Sequence, residues 1–277
     1  MSFEALPTLR HSNTPLLLFS DYHMHPQGHR VQRYTQELLQ PWANSARSLG
    51  LRDIAFTDHD RYHLGIEFDE LNRLRERNPD LRIRAGIELD NDPVHSPAGR
   101  KWIEKNWDKL DFVLGSVHFL ERADQMFDSV PDGAGQFEHR NIDEMYADYF
   151  RRVRQLIASG LIDALAHLDL IKIHGHRPTA NIGTFVDETL ELISARNLAI
   201  ELSTAGWRKP VKELYPCDSI IELAMEKGIP FTIASDAHSH VQLGESFARL
   251  ADKMAEIGIR RVCIFEKHKR VQVPLQL

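Results

Sequence analysis

The chain has 277 residues, 42% of them hydrophobic and 27% charged, with a formal net charge of −6, two cysteines and fifteen histidines. This is the composition of an ordinary globular protein. The negative charge and the lack of any basic run argue against nucleic-acid binding, no apolar run nears the ~20 residues of a membrane helix, and Cys217 and Cys263 make neither a disulfide framework nor a CxxC metal motif.

The N-terminus lacks the basic-then-apolar layout of a signal peptide, so a cytoplasmic enzyme is expected. Residues 1–15 read as an irregular entry segment broken by Pro7 and Pro15, and Leu16–Ser20 as a first buried strand. Asp21–Arg30 (DYHMHPQGHR) follows at once. His23 and His25 are two apart, which in extended backbone puts both imidazoles on one face; His29 follows in a short loop with Gly28. Gln32–Leu49 is predicted as a helix closed by Gly50. Asp53–Thr57 reads as a short strand running into Asp58-His59-Asp60, and Ile66–Arg77 as a helix stopping before Pro79. Leu81–Ile87 alternates as a strand and ends in Glu88-Leu89-Asp90; residues 91–99 read as a loop and Arg100–Lys109 as a short helix.

Phe112–Val117 is the next buried strand, closed by His118. The polar, aperiodic stretch Glu121–Arg140 reads as a long functional loop or lid. Ile142–Ser159 is a strongly amphipathic helix stopped by Gly160, Ile162–Ala166 a strand followed by His167, and Phe185–Arg196 a helix. Ala199–Leu202 is a strand, Asp218–Lys227 a helix, and Pro230–Ala234 a strand followed by Ser235-Asp236-Ala237-His238. Phe247–Ile257 is a helix and Arg261–Phe265 a last strand. Strand and helix thus alternate about eight times with no dividing linker, which predicts a (β/α) barrel in an α/β chain. A doubly wound open sheet is the alternative, and no G-x-G-x-x-G opens the first helix to support it.

The polar residues fall at informative places. One strand after another ends in a metal-type side chain: His23 and His25, then His59, Glu88, His118, His167, and finally Asp236 and His238. In a barrel these C-terminal strand ends converge on one rim. Neutral imidazole and carboxylate suit zinc, manganese, iron, cobalt or nickel. So many ligands exceed the needs of one ion, but two or three ions sharing a carboxylate can use them. A close metal pair lowers the pKa of a bridging water and clamps an in-line displacement, which is apparatus for hydrolysis, most naturally of a phosphate ester.

The motifs DYHMH, FTDHD, GIELD, GSVHFL, AHLDLIKIHG, ELSTAGWRKPVKELYP and ASDAH, in this order, resemble the polymerase and histidinol phosphatase (PHP) family, most closely its monofunctional histidinol-phosphatase branch. The likeness runs from about Asp21 to the last strand. It implies a distorted (β/α)7 TIM-like barrel, a single domain over residues 1–277, and a centre of two to three divalent transition metal ions (zinc, manganese or iron). It also implies hydrolysis of L-histidinol phosphate to L-histidinol and phosphate, a step of histidine biosynthesis. Carried over residue by residue, the first metal takes His23, His25, Glu88 and Asp236. The second shares Glu88 and takes His118 and His167. The third takes His29, His59 and His238, with His63 as the alternative to His29. Catalytic roles fall on Glu88, Asp236 and His238, the last two as candidates to protonate the leaving alkoxide.

A phosphomonoester also needs cations beyond the metals. Candidates are Lys172 and Arg177 after the fifth strand, and Arg208 and Lys209 after the sixth. Asp128 and Glu213 are candidates for the substrate ammonium, and Trp207 either walls its ring or packs its own loop. Asp58 either orients a metal ligand or caps the next helix. Ser203 stands where the family usually has Asn. Three other functions compete. One is a phosphoesterase acting on nucleotides, oligonucleotide ends or phosphotyrosine. Another is an amidohydrolase-type C–N hydrolase, against which no lysine ends the fourth strand. The third is a non-catalytic module of the kind attached to polymerases, against which every ligand type is kept. The expected partner is a small phosphorylated substrate, with neither nucleic acid nor membrane.

Overall fold

The computed structural model describes residues 20–121, 125–130 and 132–275. The entry segment 1–15 and most of the expected first strand, Leu16–Phe19, lie outside the described residues. The chain then alternates β1 (Ser20–Asp21), α1 (Gln36–Ser48), β2 (Asp53–Phe56), α2 (Phe68–Arg77), β3 (Arg82–Leu89), α3 (Ser96–Asn106), β4 (Phe112–Gly115) and α4 (Ile142–Ala158). It continues with β5 (Ala164–Leu165), α5 (Gly183–Ala195), β6 (Ala199–Ser203), α6 (Asp218–Glu226), β7 (Phe231–Ala234) and α7 (Phe247–Ile257), and ends in β8 (Arg261–Glu266) and β9 (Lys269–Pro274).

β1 to β7 pair in chain order, all parallel. Main-chain bonds from Tyr22 N to Ile233 O (3.1 Å) and from His25 N to Ala237 O (2.8 Å) bring the start of the sheet against β7. The sheet therefore curls into a nearly closed seven-stranded barrel wrapped by helices. The expected eighth strand exists but does not join the barrel. It pairs antiparallel with β9 as a hairpin, and β9, rich in charge, was not foreseen.

Period-two alternation sorts the strand residues into two cores. Ile54, Val113, Leu165 and Ile200 face the helices within the larger core. Their neighbours Ala55, Phe112, Leu114, Ala164 and Ala199 form a separate inner cluster with Tyr22, Cys263 and Phe265. The hairpin thus plugs the barrel with Phe265, whose ring packs on Phe112 (4.5 Å between centroids) and Tyr22 (5.8 Å). The Tyr22 hydroxyl donates to Asp53 (2.8 Å), and Arg84 closes the group on the same carboxylate (3.0 Å).

Local signals set the helix ends. Thr35 and Asn141 accept main-chain N–H groups as N-caps of α1 and α4. α3 begins at Ser96, earlier than expected, because Pro97 sits in its first turn, where a missing N–H costs nothing. Among the described residues no helix is long and apolar enough to cross a membrane.

Candidate metal centre and its cavity

The inward parity that places Phe112 and Leu114 inside the barrel also carries Ser116 and His118 to its mouth. Likewise Ala199 is followed on the same face by Glu201 and Ser203. At the mouth the expected ligands meet around Glu88, which is fully buried. Its Oε2 lies 2.8 Å from His59 Nδ1, 3.4 Å from His23 Nε2 and 3.6 Å from His25 Nε2; its Oε1 lies 3.4 Å from His167 Nε2 and 3.9 Å from His118 Nε2. Asp236 Oδ1 closes the other side, 3.2 Å from His25, 3.7 Å from His23 and 3.6 Å from His238. The His29 ring stacks 4.5 Å from His238 and 6.2 Å from His59.

The arrangement fits divalent cations. Neither Glu88 oxygen has a hydrogen-bond partner among the described residues, nor do His25 Nδ1, His59 Nδ1, His167 Nδ1 and His238 Nε2, although all are buried. Such orphaned lone pairs in one place are costly unless something binds them. The donor atoms gather into compact groups: His23 with His25 and Asp236, His23 with Glu88 and His167, and His25 with His59 and His238. Burial alone would raise the pKa of Glu88, but His59 and His23 beside it hold it well below the usual carboxylate range. Burial is also the main force lowering His25, and it drops His238 to about 4 against the pull of Asp236. For Glu88, His25 and His238 this is the protonation state that metal ligands require.

Behind the ligands stands a layer of carboxylates. Glu201 Oε2 lies 2.9 Å from His23 Nδ1, and its Oε1 accepts the His167 main-chain N–H at 3.2 Å. Asp90 lies 3.0 Å from His118 Nδ1 and receives Arg61 at 2.6 Å. Against burial, Asp90, with Asp128 and Glu88, raises His118 to about 10. Sequence reasoning gave Glu201 no role, although it opens the ELSTAGWRKPVKELYP motif. The signal available was a glutamate inside a buried apolar strand, in phase with Ala199. Asp90 was seen in its motif but given no role.

Residues 21–205 match the family model for the PHP domain. The chain belongs to the PHP family. A probable histidinol-phosphatase of Deinococcus radiodurans is 32% identical over 250 residues, covering 83% of this chain and 91% of its own. The histidinol-phosphatase of Bacillus subtilis is 23% identical over 252 residues, covering 79% and 94%. The histidinol phosphate phosphatase of Lactococcus lactis, crystallised with zinc, L-histidinol and phosphate, shares the fold with a TM-score of 0.70 at 18% identity, over 91% of this chain and 98% of its own.

The PHP centre opens into a cavity of about 570 Å³ whose lining includes His29, His59, Glu88, His118, His167, Asp236 and His238, together with Asp128, Arg208, Lys209 and Tyr215. Arg208 is anchored there by bonds from Nη2 to the carbonyls of Ser235 (2.8 Å) and Asp236 (2.9 Å), while Nη1 stays unpartnered among the described residues. The Arg208 turn packs so closely that a Cβ on Gly206 would lie 2.0 Å from the Glu213 carbonyl oxygen, so only glycine fits. Asp128 also keeps a buried oxygen, Oδ1, unpaired among the described residues.

Several expected positions need correction. Lys172 does not line the cavity; it is buried behind it, donating to Asp169 (2.8 Å) and to the Leu214 carbonyl (2.7 Å). Arg177 is likewise outside the lining, spent on Glu213 at 2.6 Å, which removes Glu213 as an ammonium acceptor too. Trp207 stacks under Arg249 at 4.1 Å rather than walling the cavity. His63 bonds to the Asp60 carbonyl beside Trp102, away from the centre, so His29 is the residue brought to His59 and His238. Asp58 neither caps a helix nor touches a ligand ring; it pins the His25–His29 turn by accepting from Gln27 N (3.0 Å) and Tyr34 Oη (2.7 Å). His268, away from the centre, stacks on Trp107 at 3.6 Å and bonds Asp163 at 2.9 Å.

Proposed function

We propose that this PHP barrel hydrolyses L-histidinol phosphate to L-histidinol and phosphate. The observation that carries the reading is a single cavity in which a buried cluster of imidazoles and carboxylates meets a guanidinium with a free Nη1, Arg208, and a carboxylate with an unpaired Oδ1, Asp128, among the described residues. That set matches a phosphate dianion at one end of a small substrate and an ammonium at the other. The histidinol-phosphatase names of the relatives point the same way.

In this reading His23, His25, Glu88 and Asp236 would hold a first ion, Glu88, His118 and His167 a second, and His29, His59 and His238 a third. Bound zinc, manganese or iron would supply charge neutralisation and an activated water for in-line attack. Arg208 offers its free Nη1 to a phosphoryl oxygen, adding charge where it develops in the transition state. Asp128 takes the ammonium and fixes which way round the substrate lies. Glu88 would serve two of these ions as an ionised carboxylate, neutral His238 would serve as a ligand, and the Asp236 carboxylate would carry a proton from the attacking water to the leaving alkoxide.

The test is phosphate release by protein loaded separately with zinc, manganese or iron. The substrates are L-histidinol phosphate, nucleotides, 5′-phosphorylated oligonucleotides and phosphotyrosine. L-Histidinol phosphate is expected to give the highest kcat/KM by at least tenfold. Preference for any other member, or no release with any metal, refutes the assignment.

A further inference from the structure

Among the polar groups lining the cavity that neither the ligand set nor the contacts above use is the hydroxyl of Tyr215. The residue is fully buried, yet it lines the cavity floor with Leu170. Its Oη finds no hydrogen-bond partner among the described residues. A buried hydroxyl left unpaired is destabilising, and a native structure keeps one where an arriving group satisfies it.

Tyr215 is also held with unusual care. Its N–H and C=O pair with Ser203 on the last turn of β6, at 3.2 and 2.8 Å. Lys172 grips the residue before it through the Leu214 carbonyl and lies 5.2 Å from the centre of the Tyr215 ring. Asp169, paired with Lys172, accepts the N–H of Cys217 two residues after it at 2.9 Å. The ring edge meets His167 at 6.3 Å between centroids. A buried ion pair thus brackets Tyr215 on both sides, and the ring stands against a residue of the centre. A phenol hydroxyl is protonated at neutral pH and so is a donor.

We infer that the Tyr215 hydroxyl is a preorganised hydrogen-bond donor to an oxygen of the bound phosphate group, fixed in place by the Lys172–Asp169 pair one layer behind it. A donor that pays no reorganisation when the ligand arrives is the kind that strengthens anion binding in a dry site. This rests on the phosphate reading of the cavity. It assigns Lys172 the role of a positioning residue acting through Tyr215 rather than on substrate.

The experiment compares metal-loaded wild type with Tyr215→Phe, which keeps the ring and removes only the oxygen. Inorganic phosphate is titrated by calorimetry, and kcat/KM is measured for L-histidinol phosphate. Phosphate affinity is expected to fall roughly tenfold and kcat/KM by about ten- to a hundredfold, with metal content and Tm unchanged. Equal phosphate affinity in the two proteins overturns the inference, and so does a lowered Tm with unaltered phosphate binding, the mark of a packing role. If wild type binds phosphate without hydrolysing L-histidinol phosphate, the substrate assignment fails while the calorimetric comparison still decides Tyr215. Wild type that binds no phosphate refutes both.

Discussion

Replacing Glu201 by glutamine isolates what the carboxylate behind His23 contributes to metal affinity. Both side chains are fully buried and 2.9 Å apart, so no water competes for the bond. A carboxylate at Glu201 favours a proton on His23 Nδ1 and so leaves Nε2, which lies 3.0 Å from His25 Nε2 and 3.4 Å from Glu88, to face the centre. Glutamine keeps an acceptor for the His167 N–H but sets an amide NH₂ against Nδ1. The ring then meets donor with donor, or moves its proton to Nε2 and loses the lone pair a metal needs. Loss of such an outer partner costs roughly ten- to a hundredfold in metal affinity, or about 1.4 to 2.7 kcal/mol. Chelator-buffered titration read by metal content measures it directly, and activity should return when metal is supplied in excess. A titration curve that overlays wild type would refute the claim that Glu201 tunes the centre.

Glu88→Ala removes the carboxylate on which the histidines converge; metal content should fall and activity should drop on the order of a thousandfold even with added metal, and full activity would end the multi-ion assignment. Asp128→Asn should raise KM for L-histidinol phosphate about tenfold or more, the worth of a charge-assisted bond, while leaving kcat/KM unchanged on an alkyl phosphate lacking an amine; equal losses on both would remove Asp128 from ammonium recognition. His268 supplies a pH test remote from the metals. Burial opposes its protonation, but Asp163 and the Trp107 carbonyl raise its pKa above the ordinary 6.5. A folded-state pKa above the unfolded one stabilises most below 6.5, and that stabilisation fades as pH climbs through the folded value. His268→Gln should flatten the fall of Tm over that rise, and an unchanged Tm profile would show that the stacked imidazole carries no linkage.

What the sequence made legible follows from where its signals are strong. A buried parallel strand is an apolar run, and the polar residues at and just after its end stand at the rim. His59, Glu88, His118, His167 and Asp236 were therefore readable with no tertiary information. Lys172 and Arg177 were misplaced because distance along the chain after a strand does not say which way a side chain turns; in the structure both turn from the cavity to Asp169 and Glu213. β9 escaped notice because a charged hairpin strand exposed along most of its length shows no apolar run. Tyr215 reads in sequence as one more aromatic in a loop, and only the Ser203 pairing places it in the site.

The centre and its supports also share a backbone problem. Asp236 and His167 adopt φ of 51° and 25°, a left-handed region that residues with a Cβ enter at a cost of about 1–3 kcal/mol. Each is held there by a side chain already tied to the site. Arg208 bonds the Asp236 carbonyl, and Glu201 accepts the His167 N–H while touching His23. The alanines at positions 55, 164, 166 and 199 keep the barrel interior narrow. A glutamate projecting inward from β6 can therefore reach, in one step, the ring of a β1 ligand and the backbone of a β5 ligand. The strained conformations, the small inner residues and the buried acid belong to one arrangement, in which the same contacts that hold the backbone out of its relaxed state aim the imidazoles at a common point.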